Sequence, residues 1–246
     1  MKNFFYILLI FTQIAFGQSF DKGNEFYRNG DYAAAVTQYE NVIKSKKESA
    51  ELYFNLANAY YKLNKVGPAI YNYEKALMLN PLDGEVKNNL LFAQKMQIDE
   101  VKTLPKSGIG KAVSDITSLF RYDLWAWIAI GFALLILASF TGYYFSRVSH
   151  HKRIYFIAMM LASLLLAISI ASAAHQKNIY INDRPAIVFA SQASVKNEPS
   201  AAGAEAFVLH EGTKVAVLEE LEKFKKIALA DGNEGWIEAA AIKELK

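Results

Sequence analysis

Four histidines, His150, His151, His175 and His210, are the side chains best suited to proton transfer or metal binding near neutral pH. His150 and His151 are adjacent, and Lys152 and Arg153 follow directly. A zinc site needs three or four ligands, and the stretch "SRVSHHKR" offers no others, so the pair reads as an extension of a basic segment. His210 falls in a turn far along the chain. Glu219, Glu220 and Glu222 in "LEELEKF" read as the solvated flank of a hairpin. The chain has no glycine-rich phosphate loop and no G-x-S-x-G elbow. It has no cysteine, which excludes disulfides, thiolate metal sites, a cysteine nucleophile and a lipoprotein anchor. The sequence therefore predicts no catalytic residue, no metal, no cofactor and no enzyme. A net charge of +3 over 246 residues also argues against nucleic acid as a partner.

The chemistry that does recur is recognition chemistry. A shift of 34 residues superimposes Phe20 on Phe54, Asn24 on Asn58, Tyr27 on Tyr61 and Arg28 on Lys62. An amide can donate to and accept from a peptide backbone, an aromatic ring offers apolar contact, and a cation meets a carboxylate. The bland alternative is that these are tolerated surface residues.

The same shift carries Gly23 onto Ala57, Phe26 onto Tyr60, Ala35 onto Ala69, Tyr39 onto Tyr73 and Val42 onto Ala76. Self-similarity at this period predicts stacked helix pairs. Small residues let two antiparallel helices approach, and the rings fill the wedge between them. "NGDY" and "NKVG" are the expected turns, with Gly30 and Gly67 as breakers, and Asn80-Pro81 ends the second pair. "DGEVKNNLLFAQKMQ" predicts a third, capping helix with Val86, Leu90 and Ala93 or Gln94 on one face.

Tyr53, Leu56, Ala57, Tyr60, Ala69, Tyr73, Ala76 and Pro81 together resemble a tetratricopeptide repeat (TPR). The first unit is a weaker match, with Lys47 where the terminal proline would stand. The resemblance implies that the first helix of each pair lines a groove, so the candidate partner-binding residues are Phe20, Asn24, Tyr27, Arg28, Phe54, Asn55, Asn58, Tyr61 and Lys62. Asn24 and Asn55 match the two amide positions of repeats that clamp a C-terminal carboxylate. Phe20, Glu85 and Asn89 stand where that clamp has basic residues, so a different peptide or protein surface is expected.

Around the repeats, assigned to 18–98, the chain changes character. Residues 1–17 combine Lys2, an apolar run and "AFG", the pattern of a cleaved secretion signal, an uncleaved amphipathic anchor being the alternative. Residues 99–122 form a linker in which Ala112, Ile116, Leu119 and Phe120 share a helical face. That face suits either a membrane surface or an ordinary connector. Residues 124–145 and 154–174 carry no charge and are long enough to cross a bilayer, predicting transmembrane helices at 123–146 and 154–174. Tyr122, Trp125, Trp127, Tyr143 and Tyr144 sit at the ends of the first, as an aromatic belt should. Arg147, Lys152 and Arg153 in the connecting loop 147–153 place that loop in the cytoplasm by the positive-inside rule. Ser163, Ala167 and Ala171 form a small-residue stripe for close packing, on the first helix or on a partner.

Residues 181–246 read as five or six short strands, "AIVFA", "AFVL", "KVAVLEEL", "KKIALA" and "EGWIEA" among them, separated by turn signals, and predict a small barrel. "FVLHEGTKVAVLEELEKFKKIALADGNEGWI" resembles a bacterial SH3-like domain, with Trp236 expected to cap the core. The predicted fold class is a multi-domain membrane protein: an α-solenoid of TPR helix pairs, a two-helix transmembrane hairpin and a small all-β SH3-like barrel. The whole order resembles the BatE-type proteins of the Bacteroides aerotolerance (Bat) operon. That resemblance implies an inner-membrane protein with both soluble modules in the periplasm, beside von Willebrand factor A-type membrane partners. The function expected is a non-enzymatic membrane-anchored adaptor. The alternative is a cell-envelope sensor whose SH3-like domain contacts peptidoglycan.

Overall fold

The first helices form where polar residues can absorb the free N–H groups at their starts. The computed structural model describes residues 19–101 and 108–246. The expected signal segment, and most of the "TLPKSGIG" stretch, lie outside those residues. Residues 19–28 are helical (α1), followed by α2 (Tyr32–Lys44), α3 (Ala50–Lys62), α4 (Val66–Leu79) and α5 (Gly84–Gln94). Asp31 caps α2 by accepting from the Ala34 N–H, Ser49 caps α3 through Leu52, and Asp83 caps α5 through Glu85 and Val86. Gly30 makes the first turn in the left-handed region, at φ 81°. In the second turn that role falls to Asn64, at φ 57°. Gly67 is not the breaker expected of it, because it lies inside α4 and is buried.

Small residues at the helix crossings are fully buried: Ala35, Ala57, Ala59, Ala69 and Ala76. Tyr39 and Tyr73 fill the space between helices, each about 1% exposed. Gly23 shows why the position must be small, since a Cβ there would lie 2.5 Å from the Tyr39 ring. Helix α5 covers α4 with Val86, Leu90 and Ala93, the face the sequence predicts.

Residues 185–246 form one antiparallel sheet of seven strands: β1 (Pro185–Val188), β2 (Gln192–Lys196), β3 (Glu205–His210), β4 (Lys214–Leu221), β5 (Phe224–Ala228), β6 (Glu234–Glu238) and β7 (Ile242–Glu244). The order is β3-β2-β6-β5-β4-β1-β7. The sheet is not the closed barrel expected, because β3 and β7 are its two edges and do not pair. It coils around a core of Val188, Val195, Leu209, Val217, Ile227 and Ile237. Trp236 does not cap this core: its neighbours Gly235 and Ile237 point inward, leaving the indole half-buried on the other face.

The sheet offers a second apolar face on β1 and just after β7. Alternate residues of a strand face opposite sides. Ala186, Val188 and Ile242 face the sheet's own core, while Ile187 and Leu245 join the core of α3, α4 and α5. The repeats and Arg184–Lys246 thus form one compact unit. The interface is closely fitted. Gly67 donates its N–H to the Glu211 carboxylate at 3.0 Å, and a Cβ on Gly67 would meet Glu211 Cγ at 2.8 Å and the Val188 carbonyl at 3.1 Å. Gly212, at φ 95°, sits against Val66 and Ile70. Lys214 pairs with Glu74 at 2.7 Å.

The second unit comprises α6 (Ile109–Thr117), α7 (Tyr122–Phe145) and α8 (Ser149–Asn182). Helices α7 and α8 have 24 and 34 residues, with windows of mean hydropathy 2.1 and 2.5, and both are long and apolar enough to cross a membrane. At 1.5 Å per residue α8 runs about 50 Å, so its last two turns, from His175, extend past the apolar stretch. The two helices pack as a hairpin through Ala129 and Ser139 on α7 and Ala162, Ser169 and Ser172 on α8. The small-residue stripe read from the sequence is displaced from this contact: Ala167 and Ala171 are exposed. Gly142 gives way to the Tyr155 ring, which a Cβ would meet at 2.8 Å. Helix α6 is tied to the hairpin by the Trp125 indole, which donates to the Thr117 carbonyl at 2.9 Å, and by Gln176, which donates to the Thr117 hydroxyl at 3.1 Å.

Candidate functional site

Helices α1, α3 and α5 carry the residues that the repeat pattern singles out. Their amides are linked in series. Asn24 Oδ1 accepts the Tyr39 hydroxyl at 2.7 Å and the Asn55 amide at 3.0 Å. One repeat later, Asn58 Oδ1 accepts the Tyr73 hydroxyl at 2.6 Å and the Asn89 amide at 3.0 Å. The sequence shift of 34 therefore reappears as a repeated hydrogen-bond motif that binds each first helix to the next. Burial raises the pKa of Tyr39 to about 12 and that of Tyr73 further, so both hydroxyls act as donors across the physiological range.

The remaining predicted groove residues divide by exposure. Phe20 and Phe54 lean on the Tyr39 and Tyr73 rings, at centroid distances of 5.9 and 6.1 Å, and are half-buried. Tyr27 packs edge-on to Tyr32 at 5.2 Å, and Tyr61 is half-buried against the repeat core. Arg28 and Lys62 are exposed. The three amides Asn24, Asn55 and Asn58 thus hold the repeats together, while the cations and the outer ring edges face outward.

Two further groups on these elements stand outside the predicted groove residues. Asn89 completes the second amide link, and the signal for it was available: it stands 34 residues after Asn55. Phe92 stands 34 residues after Asn58, on the last helix of the repeat unit. It is 55% exposed, and neighbouring Leu91 is 57% exposed. A terminal repeat usually has a polar outer face, so this apolar exposure is unusual for a cap.

A second cluster lies where the repeats meet the sheet. Asp99, just beyond α5, accepts the His210 backbone N–H at 2.6 Å, the Thr213 hydroxyl at 2.6 Å and the His210 ring Nδ1 at 2.7 Å. Burial pushes the Asp99 pKa up. The hydrogen bonds from Thr213 and His210 outweigh it and leave the carboxyl below its usual range. His210 is therefore a structural tie and not an idle turn residue. The His150 and His151 rings lie 6.2 Å apart at a tilt of 52°, and among the described residues no group of three metal-ligating side chains occurs.

Residues 23–64 match the family model described as TPR repeat, and residues 50–82 match that of the tetratricopeptide repeat. The repeated helix pairs are therefore tetratricopeptide repeats, units whose presence points to binding of protein partners.

Proposed function

We propose that this chain is a non-enzymatic, membrane-anchored adaptor that holds a partner protein on the α1–α3–α5 face of its TPR unit. The observation that carries the reading is the pairing of tetratricopeptide repeats with a two-helix apolar hairpin in one chain. On that face, beside the amide row linked through Asn24 and Asn58 Oδ1, Arg28, Lys62 and Phe92 are exposed at one end of each first helix. Arginine is among the residues that most often dominate a protein interface, and the exposed Phe92 ring, with the Lys95 ammonium 5.3 Å from its centroid, adds apolar contact beside charge.

The hairpin lies in the inner membrane with the TPR unit in the periplasm, as the basic residues Arg147, Lys152 and Arg153 at its tip favour. Helix α6 lies at the bilayer surface on that side. Its Val113 and Ile116, with Leu119 just after it, are exposed while Thr117 is held to the hairpin. The partners are membrane proteins of the same envelope assembly, the von Willebrand factor A-type proteins implied by the Bat-type order of segments.

Crosslinking followed by pull-down of the full-length chain from membranes tests this. Arg28→Glu, Lys62→Glu and Phe92→Ser combined should abolish the partner band that the wild type captures, with no loss of thermal stability. A band undiminished in this variant would remove the groove from the reading. Deleting residues 18–98 is not a usable control, since it would uncover Ile187 and Leu245.

A further inference from the structure

A cavity of about 440 Å³ lies on the other side of the repeats from the amide row, between α2, α3, α4 and the sheet. Its size is in the range of small-ligand sites. The walls are Tyr53, Tyr71 and Phe189, and three lysines, Lys44, Lys75 and Lys243, open onto it. The Lys243 ammonium stands 4.4 Å from the Tyr71 ring centroid and 5.6 Å from that of Phe189. The Lys75 ammonium stands 5.4 Å from the Tyr53 centroid. Among the described residues, neither ammonium has a carboxylate within salt-bridge distance.

Lys243 is exposed as a residue of an edge strand, yet rings flank its charged end. Burial pulls its pKa below the usual lysine value, with Glu40 offsetting part of the effect and Lys75 adding to it. Two acids also line the cavity: Glu40, which accepts the Tyr60 hydroxyl, and Glu48, which with burial raises the pKa of Tyr53. Both carboxylates are anionic, but neither reaches the Lys75 or Lys243 ammonium, which leaves both ammonium groups open to an incoming anion. What the cavity offers besides charge is aromatic surface.

We propose that this cavity, built jointly by the convex helices and strand β7, binds a carboxylate carried on an apolar body, with Lys75 and Lys243 holding the charge and Tyr53, Tyr71 and Phe189 the body. The site is distinct from the partner-binding face and does not rest on that reading. The same chemistry is found in a free aromatic or aliphatic acid and in an acidic side chain flanked by apolar residues in a peptide.

The experiment uses the full-length chain in detergent and isothermal titration with three probes: 3-phenylpropionate, its neutral amide, and the peptide acetyl-Phe-Glu-Phe-amide. Binding of the acid or the peptide, with at least tenfold weaker binding of the neutral amide, is expected, and which of the two binds identifies the source. Lys75→Gln with Lys243→Gln should weaken that binding by about tenfold or more, while Lys243→Arg should retain it. Should the double variant fail to fold, acetylation of the wild type read by mass spectrometry decides. A bound probe must slow modification of Lys243 severalfold relative to exposed Lys87. Equal affinity for acid and amide, binding of neither acid nor peptide, unchanged affinity in a folded double variant, or unprotected Lys243 would overturn the proposal.

Discussion

Single side chains here join segments that are far apart in sequence, and Asp99 does so most heavily. It receives three donors from a strand end and turn more than 110 residues away. Asp99→Ala removes the carboxylate that these donors share and leaves the hydroxyl of the buried Thr213 without its acceptor. A hydrogen bond to a charged group contributes about 1.5–3 kcal/mol, so a loss of about 2–3 kcal/mol is expected in denaturant unfolding of the detergent-solubilised chain. The pH dependence follows from the lowered folded-state pKa. The unfolded carboxyl binds its proton first as pH falls, so Asp99 stabilises fully above the ordinary carboxyl range, about pH 4. That contribution disappears as pH drops through the folded value. Wild type and variant should converge in stability on acidification; parallel profiles below pH 4 would show that Asp99 is not the group responsible. Asn58→Ala makes a parallel case, because it strands the buried Tyr73 hydroxyl. A loss of about 1–3 kcal/mol is expected, and Tyr73→Phe in that background should recover part of it. The sequence made Asn24 and Asn58 visible by their period but presented them as free binding groups. Whether a repeated amide faces outward or back into the solenoid is decided by the tyrosine that reaches it from the second helix. That geometry is not contained in the spacing of either residue.

At the scale of elements, the helices were legible and their docking was not. Amphipathic period, small crossing residues and polar caps located the repeat helices and the buried face of α5 because those signals are local. Gly67 shows where local reading stops. Beside Asn64 it looked like a turn breaker, yet its requirement for glycine comes from Glu211 and the Val188 carbonyl on the sheet. Helix propensity alone would make Gly67→Ala favourable by up to about 1 kcal/mol. The structure predicts the opposite sign. The added methyl displaces Glu211 from the Gly67 N–H and presses on a backbone carbonyl, so unfolding should come at lower denaturant concentration. Truncation to Glu211→Ala in the same chain should relieve most of the effect, and a stabilised Gly67→Ala single variant would contradict the fitted interface. The sequence did hold a clue to that interface in "AIVFA". Its uninterrupted apolar run, without the alternation of a strand with one wet face, is the pattern of a strand buried on both sides. Ile187 and Phe189 are the residues on the extra side. The sheet brings a second apolar face to the helices on the same side, through Ile187 on β1 and Leu245 just after β7.

The whole molecule is organised by an interruption. The TPR segment and the sheet pack as one unit, yet α6, α7 and α8 intervene between them in sequence. A body assembled from both sides of an insertion must lie entirely on one side of any membrane that the insertion enters. The chain between them must then cross an even number of times, and α7 and α8 provide two spans of sufficient length. The basic residues Arg147, Lys152 and Arg153 at the hairpin tip favour the cytoplasmic side for that tip. The absence of native cysteine makes the topology directly measurable. Single cysteines at Lys87→Cys, Ser149→Cys and Ala202→Cys report on the repeats, the hairpin tip and the sheet, and all three positions are exposed. In cells with a permeabilised outer membrane, a membrane-impermeant maleimide should label the cysteines at 87 and 202 equally and leave that at 149 unlabelled until the inner membrane is lysed. Labelling at 149 alone would invert the orientation and place the partner-binding face in the cytoplasm, with the packing intact. Labelling at only one of 87 and 202 is the outcome that the joint unit forbids, because Ile187 and Leu245 cannot be buried against α4 across a bilayer.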